Sequence, residues 1–202
     1  WSSLVGSEMC IRDRYLDEIK FSFIRQSEPN GLGHAILQAK HIITDDFFGI
    51  ILADDLILSE PGFLKQLLEI HEKTQSSVLG VFSASENQVS NYGVISSKNI
   101  DGIEKVDGIV EKPIPADAPS NLAVFGRYIL SKDIFLNIEQ TKPGLNNEIQ
   151  LTDAIQDLIS NQDVFALEFE GRRFDCGSKE GYISAIIDRA LSIDKYKSII
   201  EK

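Results

Sequence analysis

Apolar and polar positions alternate along this chain in a way that predicts an α/β fold. Apolar runs of strand length occur at 21–26, 47–53 and 77–83, and amphipathic stretches at 34–43 and 61–74 separate them. An uninterrupted apolar run indicates a strand covered on both faces, whereas apolar residues three and four positions apart indicate a helix. The strand–helix order therefore predicts a doubly wound sheet that is mostly parallel.

The second half of the chain adds shorter elements to this sheet. Short apolar segments predict strands in antiparallel or mixed pairings at 92–96, 103–106, 109–111 and 122–130. They are followed by a predicted helix at 147–160, strands at 164–169 and 172–175, and a last amphipathic helix at 179–194. No repeat or linker divides the chain. The predicted class is α/β, a Rossmann-like mixed and mostly parallel sheet flanked by helices, in one domain.

Residues 1–14 do not continue this pattern. They have neither helical nor strand periodicity, and they resemble translated sequencing adapter. We therefore interpret them as a non-native tail, exclude them from the fold prediction and place the domain at 15–202.

Charge and cysteine usage narrow the class of protein. The formal net charge is -11 at pH 7, which disfavours binding to nucleic acid polymers and anionic membranes. A small anionic ligand would need a local cation, either a metal ion or a few Lys and Arg residues. Cys10 and Cys176 form neither a disulfide framework nor a metal-binding spacing, which favours a reducing, cytoplasmic location.

Acidic residues follow two of the predicted strands. Asp54 and Asp55 come directly after the apolar run at 47–53, and Asp175 ends the predicted strand at 172–175. Open α/β sheets bind ligands at the carboxyl ends of their strands, where a carboxylate can hold Mg²⁺ against nucleotide phosphates. Two Asp residues also end strands and open turns without any ligand. The recurrence of an acid at a second strand end favours a shared divalent cation.

Paired glycines between a strand and a helix form a second candidate. The segment 26–33 contains Gly31 and Gly33 just before the helix predicted at 34–43. Glycine lets backbone approach a ligand closely, and the first N–H groups of a helix are unpaired. The segment is neither a Walker loop nor a complete GxGxxG, so a tight turn that leads into a helix is the favoured explanation from these residues alone.

Three further segments combine polar chemistry with a structural explanation. Gly93 opens a strand, where it admits a sugar ring or marks a bulge. Glu111 and Lys112 end a strand before a proline, where they can hold a hydroxyl and a phosphate or simply lie at the surface. Asn147, with Gln150 three residues later, forms a capping box, and Glu148 suits the first turn of a helix.

Taken in order, these segments resemble the sugar-1-phosphate nucleotidyltransferase family. The resemblance covers roughly residues 20–200, and no single motif in it is specific. It rests on Ile51-Leu52-Ala53-Asp54, Asp175-Cys176-Gly177 and the segments 31–35, 92–94, 110–113, 120–123, 126–128 and 147–155.

The resemblance implies a role for each matching position. Gln26 and Gly31 would contact a uracil base, and Asp54 would bind Mg²⁺ with Asp175 as the second protein ligand. Asp54, as the Mg²⁺ ligand, and Lys112, which would hold the sugar phosphate, would be the catalytic residues. The remaining predicted contacts, to the glucose hydroxyls, are Gly93, Glu111, Asn121 and Glu148.

The implied reaction is transfer of a uridylyl group from UTP to glucose 1-phosphate, giving UDP-glucose and pyrophosphate. Positioning of two anions and neutralisation of charge would supply most of the rate. The resemblance also implies a homo-oligomer. The role of Asp55 is open between a spectator and an additional outer-shell acceptor.

The family's opening loop, Gly-x-Gly-Thr-Arg with a nearby lysine, does not occur before Lys20. We therefore expect an N-terminally truncated nucleotidyltransferase domain that lacks its first strand and has impaired activity. Three alternatives stay open: a related nucleotidyltransferase that uses dTTP, CTP or another sugar phosphate, a metal-dependent nucleotide-sugar glycosyltransferase, and a non-catalytic nucleotide-sugar binding subunit.

Overall fold

The computed structural model describes residues 19–144 and 147–200. Its strands are β1 Phe47–Ile51, β2 Asp55–Leu58, β3 Ser77–Ser83, β4 Gly93–Ile100, β5 Ile103–Glu111, β6 Leu122–Ser131, β7 Val164–Glu168 and β8 Arg172–Asp175. Its α-helices are α1 Leu32–Leu37, α2 Phe63–Thr74, α3 Ile134–Gln140, α4 Leu151–Ile159, α5 Lys179–Leu191 and α6 Asp194–Ile200. Within these residues no helix combines the length and apolar character that crossing a membrane requires.

The large sheet is mixed and has the order β1-β6-β3-β7-β5-β4. Among its described pairings only β3 with β7 is parallel, so the prediction of a mostly parallel sheet is wrong. The reason is β6, which lies between β1 and β3 and runs antiparallel to both. β1 and β3 therefore point the same way, as the strand–helix–strand order requires, but β6 provides their hydrogen bonds. A contact between Val94 in β4 and Ala123 in β6 links the far end of the sheet back to its middle.

A separate two-stranded ribbon formed by β2 and β8 was not predicted as such. The predicted strand at 47–53 ends at Ile51, and after a short turn the chain starts a new strand at Asp55. This strand pairs antiparallel with β8, so that Asp55 lies opposite Asp175. The ribbon therefore brings together two segments that are 120 residues apart in the sequence.

Helices cover both faces of the large sheet. Successive residues of β3 alternate between two cores, because side chains of a strand point to opposite faces. Leu79 belongs to the larger core, which includes residues of α3 and α4. Val78 belongs to the smaller core, together with Phe63 and Leu67 of α2. This arrangement confirms the predicted α/β class with a mixed sheet flanked by helices.

Several predicted boundaries differ from the structure. The segment 21–26 is not a strand: it has no regular structure, and Phe23 is 96% exposed. The helix predicted at 34–43 is the shorter α1, and the helix predicted at 179–194 is divided into α5 and α6. The segments 103–106 and 109–111 form the single strand β5.

Candidate functional site

A cavity of about 360 Å³ opens between the β2–β8 ribbon, the ends of β4 and β5, and the start of α4. Six of the predicted site residues line it: Asp54, Gly93, Glu111, Lys112, Glu148 and Asp175. The structure thus brings together residues from five separate stretches of the chain. We call Asp54, Asp55, Arg173 and Asp175 the ribbon side of the cavity, and Gly93, Glu111, Lys112, Glu148 and Thr152 the helix side.

The two acids predicted to share a cation lie next to each other. The backbone N–H of Cys176 donates to the carbonyl of Asp54 at 2.7 Å, which holds the two segments together. A Cβ atom at Gly177 would lie 3.1 Å from Oδ1 of Asp175 and 3.3 Å from Oδ2 of Asp54. The missing side chain of Gly177 therefore leaves space between the two carboxylates.

This pair of carboxylates suits Mg²⁺. Magnesium prefers oxygen ligands and is commonly bound by one or two carboxylates, with substrate phosphates and water completing its coordination. In residues 19–144 and 147–200, no group of three or more His, Cys, Asp or Glu residues could hold a metal. Two protein ligands fit a cation that a phosphate-bearing substrate helps to bind, and they do not fit a closed structural site.

Asp175 is oriented by two hydrogen bonds. The Tyr92 hydroxyl donates to Oδ2 at 3.1 Å, and the backbone N–H of Gly177 donates to Oδ1 at 3.1 Å. Burial raises the pKa of Tyr92 above its usual value, so the hydroxyl keeps its proton and remains a donor.

Asp55 forms a buried ion pair with Arg173 that the sequence did not predict. Arg173 Nε donates to Oδ1 of Asp55 at 2.6 Å, and the side chains are only 13% and 9% exposed. The backbone N–H of Gly126 donates to the other oxygen of Asp55 at 2.9 Å. Burial alone would lower the pKa of Arg173, but Tyr92 and Asp55 together raise it, so the guanidinium is charged. Asp55 is therefore the buried ion-pair partner of Arg173.

A second arginine fixes the turn that presents Asp54. Arg127 donates through Nη2 to the carbonyl of Asp55 at 2.7 Å and through Nη1 to the carbonyls of Leu52 and Gly126 at 3.1 and 2.7 Å. These three bonds connect the end of β1, the start of β2 and strand β6. The sequence could not predict these contacts, because nothing in it links position 127 to positions 52–55 until β6 pairs with β1.

On the helix side, Glu111 is held by a neutral hydroxyl. Thr152 Oγ1 donates to Oε2 of Glu111 at 2.9 Å, and Lys112 Nζ lies 3.6 Å from Oε1. A Cβ at Gly93 would lie 2.6 Å from Cγ2 of Thr152. The glycine is therefore required because the start of α4 packs against β4. The bulge in the β4–β5 ladder lies at Ser96–Ser97 instead.

The segment around Gly31 and Gly33 is joined to the segment that carries Glu148. The N–H of Gly33 donates to the carbonyl of Ile149 at 3.0 Å, and the N–H of Ile149 donates to the carbonyl of Asn30 at 2.8 Å. A Cβ at Gly31 or Gly33 would lie within 3 Å of residues 148–149, and Gly31 has a φ of 95°. Both glycines are therefore explained by this close approach.

The remaining predicted site residues lie outside the cavity lining. Gln26 Nε2 donates to the carbonyl of Gly31 at 3.2 Å and lies 2.9 Å from His34 Nδ1, beside the start of α1. Asn121 is exposed at the start of β6, and its carbonyl accepts from Ala84 N–H at 2.8 Å. Gln26 and Asn121 are thus not brought together with the six lining residues, whereas Gly31 lies outside the lining but packs against Glu148.

The predicted capping box at 147–150 is wrong. Helix α4 begins only at Leu151, with Gln150 as its N-cap, and Asn147 has a left-handed backbone with a φ of 62°. Gln150 Nε2 instead donates to Oε2 of Glu148 at 3.2 Å. The residues before α4 are occupied by the contact with the segment at 30–33, and Glu148 therefore precedes the helix instead of lying in its first turn.

Comparisons with known proteins agree with this geometry. The family model described as Nucleotidyl transferase matches residues 6–190. A UTP–glucose-1-phosphate uridylyltransferase of Pseudomonas aeruginosa is 46% identical over 175 residues, which cover 85% of this chain and 63% of that protein. The corresponding uridylyltransferase 2 of Streptococcus pyogenes serotype M3 is 44% identical over 185 residues, covering 89% of this chain and 62% of that protein.

Solved structures give the same result. A UDP-glucose pyrophosphorylase complexed with UDP-glucose superposes with a TM-score of 0.88 at 42% identity, covering 94% of this chain and 73% of that chain. A UTP-bound UGPase of Acinetobacter baumannii gives a TM-score of 0.78 at 32% identity, covering 96% of this chain and 73% of that chain. The chain spans 63% of the length of the Pseudomonas relative. Because the family model covers most of its residues, the chain belongs to the nucleotidyl transferase family.

Proposed function

We propose that the chain forms part of an enzyme that transfers a uridylyl group from UTP to glucose 1-phosphate, giving UDP-glucose and pyrophosphate. The observation that carries the proposal is the convergence of an acid pair with Glu111, Lys112 and Glu148 on one cavity. An acid pair with space between its oxygens suits a cation bound to phosphate, and the helix side offers acceptors for hydroxyls and a cation for a phosphate.

In this proposal the helix side binds the sugar phosphate. Glu111 and Glu148 accept hydrogen bonds from glucose hydroxyls, together with the backbone at Gly93. Lys112 binds the phosphate that attacks, and it lies beside Glu111 at the end of β5. Lys112 is held in a left-handed backbone conformation with a φ of 45°, a strained geometry of the kind found at functional sites. Asn121, which the family resemblance assigns to a glucose hydroxyl, does not line the cavity and is not part of this proposal.

The ribbon side binds the nucleotide phosphates. Asp54 and Asp175 would hold Mg²⁺, which neutralises charge on the triphosphate when it is bound. The protein then has little covalent chemistry to perform. Lys112, and Asp54 and Asp175 through the cation that they would hold, would bring the two anionic substrates together in an orientation for in-line displacement. The positive charges of that cation and of Lys112 would offset the repulsion between the substrates.

The uracil base would lie beside Gln26 and Gly31. Both residues are outside the cavity lining, but their segment is bonded to residue 149, next to Glu148. The Pseudomonas and Streptococcus relatives are named UTP–glucose-1-phosphate uridylyltransferases, which supports uridine and glucose over thymidine or cytidine. They give no support to a glycosyltransferase or to a non-catalytic subunit.

Calorimetric titration with UDP-glucose in the presence of Mg²⁺ tests the proposal. We expect binding to the wild type, weaker competition by dTDP-glucose and CDP-glucose, and a loss of about tenfold in Glu111→Gln, which removes a charged acceptor. Asp163→Ala is the matched control, because its carboxylate is exposed and pairs with Lys105 away from the cavity. Equal binding by Asp54→Ala and the wild type would remove the cation assignment, and preferential binding of dTDP-glucose would favour a related nucleotidyltransferase.

We also propose that the protein is a homo-oligomer. Tyr182, Ile183, Ile186 and Ile187 of α5 are about half exposed, which is unusual for large apolar side chains that share one helix. Analytical ultracentrifugation should show a concentration-dependent assembly that Ile183→Glu with Ile187→Glu disrupts. A monomer at every concentration would contradict this expectation.

A further inference from the structure

The ribbon places three charged side chains on one face. Asp55 lies opposite Asp175 in the β2–β8 ladder, and Arg173 is two residues before Asp175 on the same strand. Side chains that are cross-strand partners, or two residues apart on one strand, point to the same face. Two carboxylates directly opposite each other repel. The guanidinium of Arg173 could therefore pair with either Asp55 or Asp175.

In the structure Arg173 forms its ion pair with Asp55. Its Nε is 2.6 Å from Asp55, whereas among the described contacts it forms no ion pair with Asp175. The Tyr92 hydroxyl contacts both residues, at 3.4 Å from Arg173 Nη1 and 3.1 Å from Asp175. Asp55 is buried, whereas Asp175 is half-buried at the cavity. A buried carboxylate without a partner is far more costly than an accessible one, so the pairing with Asp55 is favoured.

The guanidinium is also held in place by three aromatic rings. Its central carbon lies 4.6 Å from the ring centre of Phe82, 5.1 Å from that of Tyr92 and 5.4 Å from that of Phe125. A cation over aromatic faces is stabilised electrostatically, and more so when it is shielded from water. Arg173 therefore needs one carboxylate to balance its charge and has no need of a second.

We propose that Asp55 is the counterion that keeps Arg173 from neutralising Asp175. By pairing with Arg173 inside the protein, Asp55 leaves Asp54 and Asp175 without a direct ion-pair partner among the described residues, so that both can attract a divalent cation. This inference rests on the proposed role of Asp54 and Asp175 as cation ligands. It gives Asp55 a positioning role through Arg173, and it predicts that the two residues can be removed together at little cost to cation binding.

A titration with Mn²⁺ alone tests the proposal without any turnover. Bound Mn²⁺ is measured as the loss of the free-ion signal in electron paramagnetic resonance. In Asp55→Asn, Arg173 should turn to Asp175, and the affinity for Mn²⁺ should fall by about tenfold, the effect of one repelling charge at short range in a partly solvated site. In Asp55→Asn with Arg173→Gln, the affinity should return to within about twofold of the wild type, because the charge of Arg173 is removed together with that of its counterion.

Arg173→Gln alone keeps the test decisive if Asp55→Asn does not fold. The proposal expects an Mn²⁺ affinity equal to or above that of the wild type, whereas a mere scaffold role for Arg173 expects a loss. Failure of the double variant to recover, or a weakened single Arg173→Gln, overturns the counterion role while leaving the cation site in place. If the wild type itself does not bind Mn²⁺, the proposed cation site fails, and this inference fails with it.

Discussion

The two sides of the cavity fix their carboxylates by different means. On the ribbon side Arg173 and Arg127 are partly buried and hold Asp55 and the turn before it through charged hydrogen bonds. On the helix side Glu111 is held by the hydroxyl of Thr152, while Lys112 stays 40% exposed in its side chain. The comparison teaches that the ribbon side is built around an internally balanced charge, whereas the helix side keeps its charges available to a ligand.

Removing the Asp55–Arg173 ion pair should have the largest effect on stability, and it tests the difference between the two sides most directly. Asp55→Ala removes a buried carboxylate that accepts from both Arg173 and the N–H of Gly126, so the free energy of unfolding should fall by about 3 kcal/mol even when Arg173 turns to Asp175. Urea unfolding followed by circular dichroism measures it. Asp163→Ala, which breaks an exposed pair with Lys105, should cost less than about 1 kcal/mol. Similar losses in both variants would show that burial of the Asp55–Arg173 pair has no energetic consequence.

Adding a methyl group on each side compares how tightly the two sides are packed. A Cβ at Gly126 would lie 2.6 Å from Cβ of Leu52 and 2.7 Å from Oδ2 of Asp55, so Gly126→Ala should cost about 2–3 kcal/mol. A Cβ at Gly93 meets the terminal methyl of Thr152 at 2.6 Å, and since that side chain can move, Gly93→Ala should cost about 1 kcal/mol. Thermal unfolding of both variants measures the difference, and the reverse order would contradict it.

Thr152→Val is the corresponding change to the hydrogen bond of the helix side. It keeps the shape of the side chain and removes the donor to Glu111, so we expect a loss of about 1 kcal/mol in stability. Because Glu111 becomes free to rotate, UDP-glucose should also bind more weakly in calorimetry. Unchanged binding with reduced stability would mean that Thr152 supports the fold and leaves the orientation of Glu111 unaffected.

The smallest effect at neutral pH involves Tyr128, which lines the cavity between the two sides. Burial, followed by the charges of Asp55 and Glu111, raises the pKa of Tyr128 above its usual value. The folded state therefore retains this proton where the unfolded chain has lost it, so stability is constant below about pH 10 and falls as the pH rises further. Thermal unfolding between pH 9 and pH 11 should show this fall, and Tyr128→Phe should reduce it. An unchanged pH dependence in Tyr128→Phe would contradict the prediction.

The sequence predicted those features of the site that depend on local pattern. Asp54 and Asp175 were singled out because each lies at a predicted strand end, and a strand end is visible in the sequence itself. The ion pair of Asp55 was not, because it depends on the pairing of β2 with β8 across 120 positions. Likewise, nothing in the residues of β6 states that it inserts between β1 and β3.

Tertiary contacts also overruled two local signals. Asn147 and Gln150 have the spacing of a capping box, but the backbone at 149 bonds with residues 30 and 33, and the helix starts later. The apolar residues at 21–26 have strand character, yet a strand needs a partner, and none pairs with them within the described residues. In both cases the hydrogen bonds available to the backbone in the folded chain determine the structure, and the local sequence propensity does not.

The main-chain bonds between Asn30, Gly33 and Ile149 have a consequence for motion. Neither segment can shift far relative to the other without breaking these bonds, so we expect the loop beside Gln26 and the backbone that carries Glu148 to move together. A substitution at Gly31 or Gly33 should therefore displace the backbone at Glu148 as well as the loop itself.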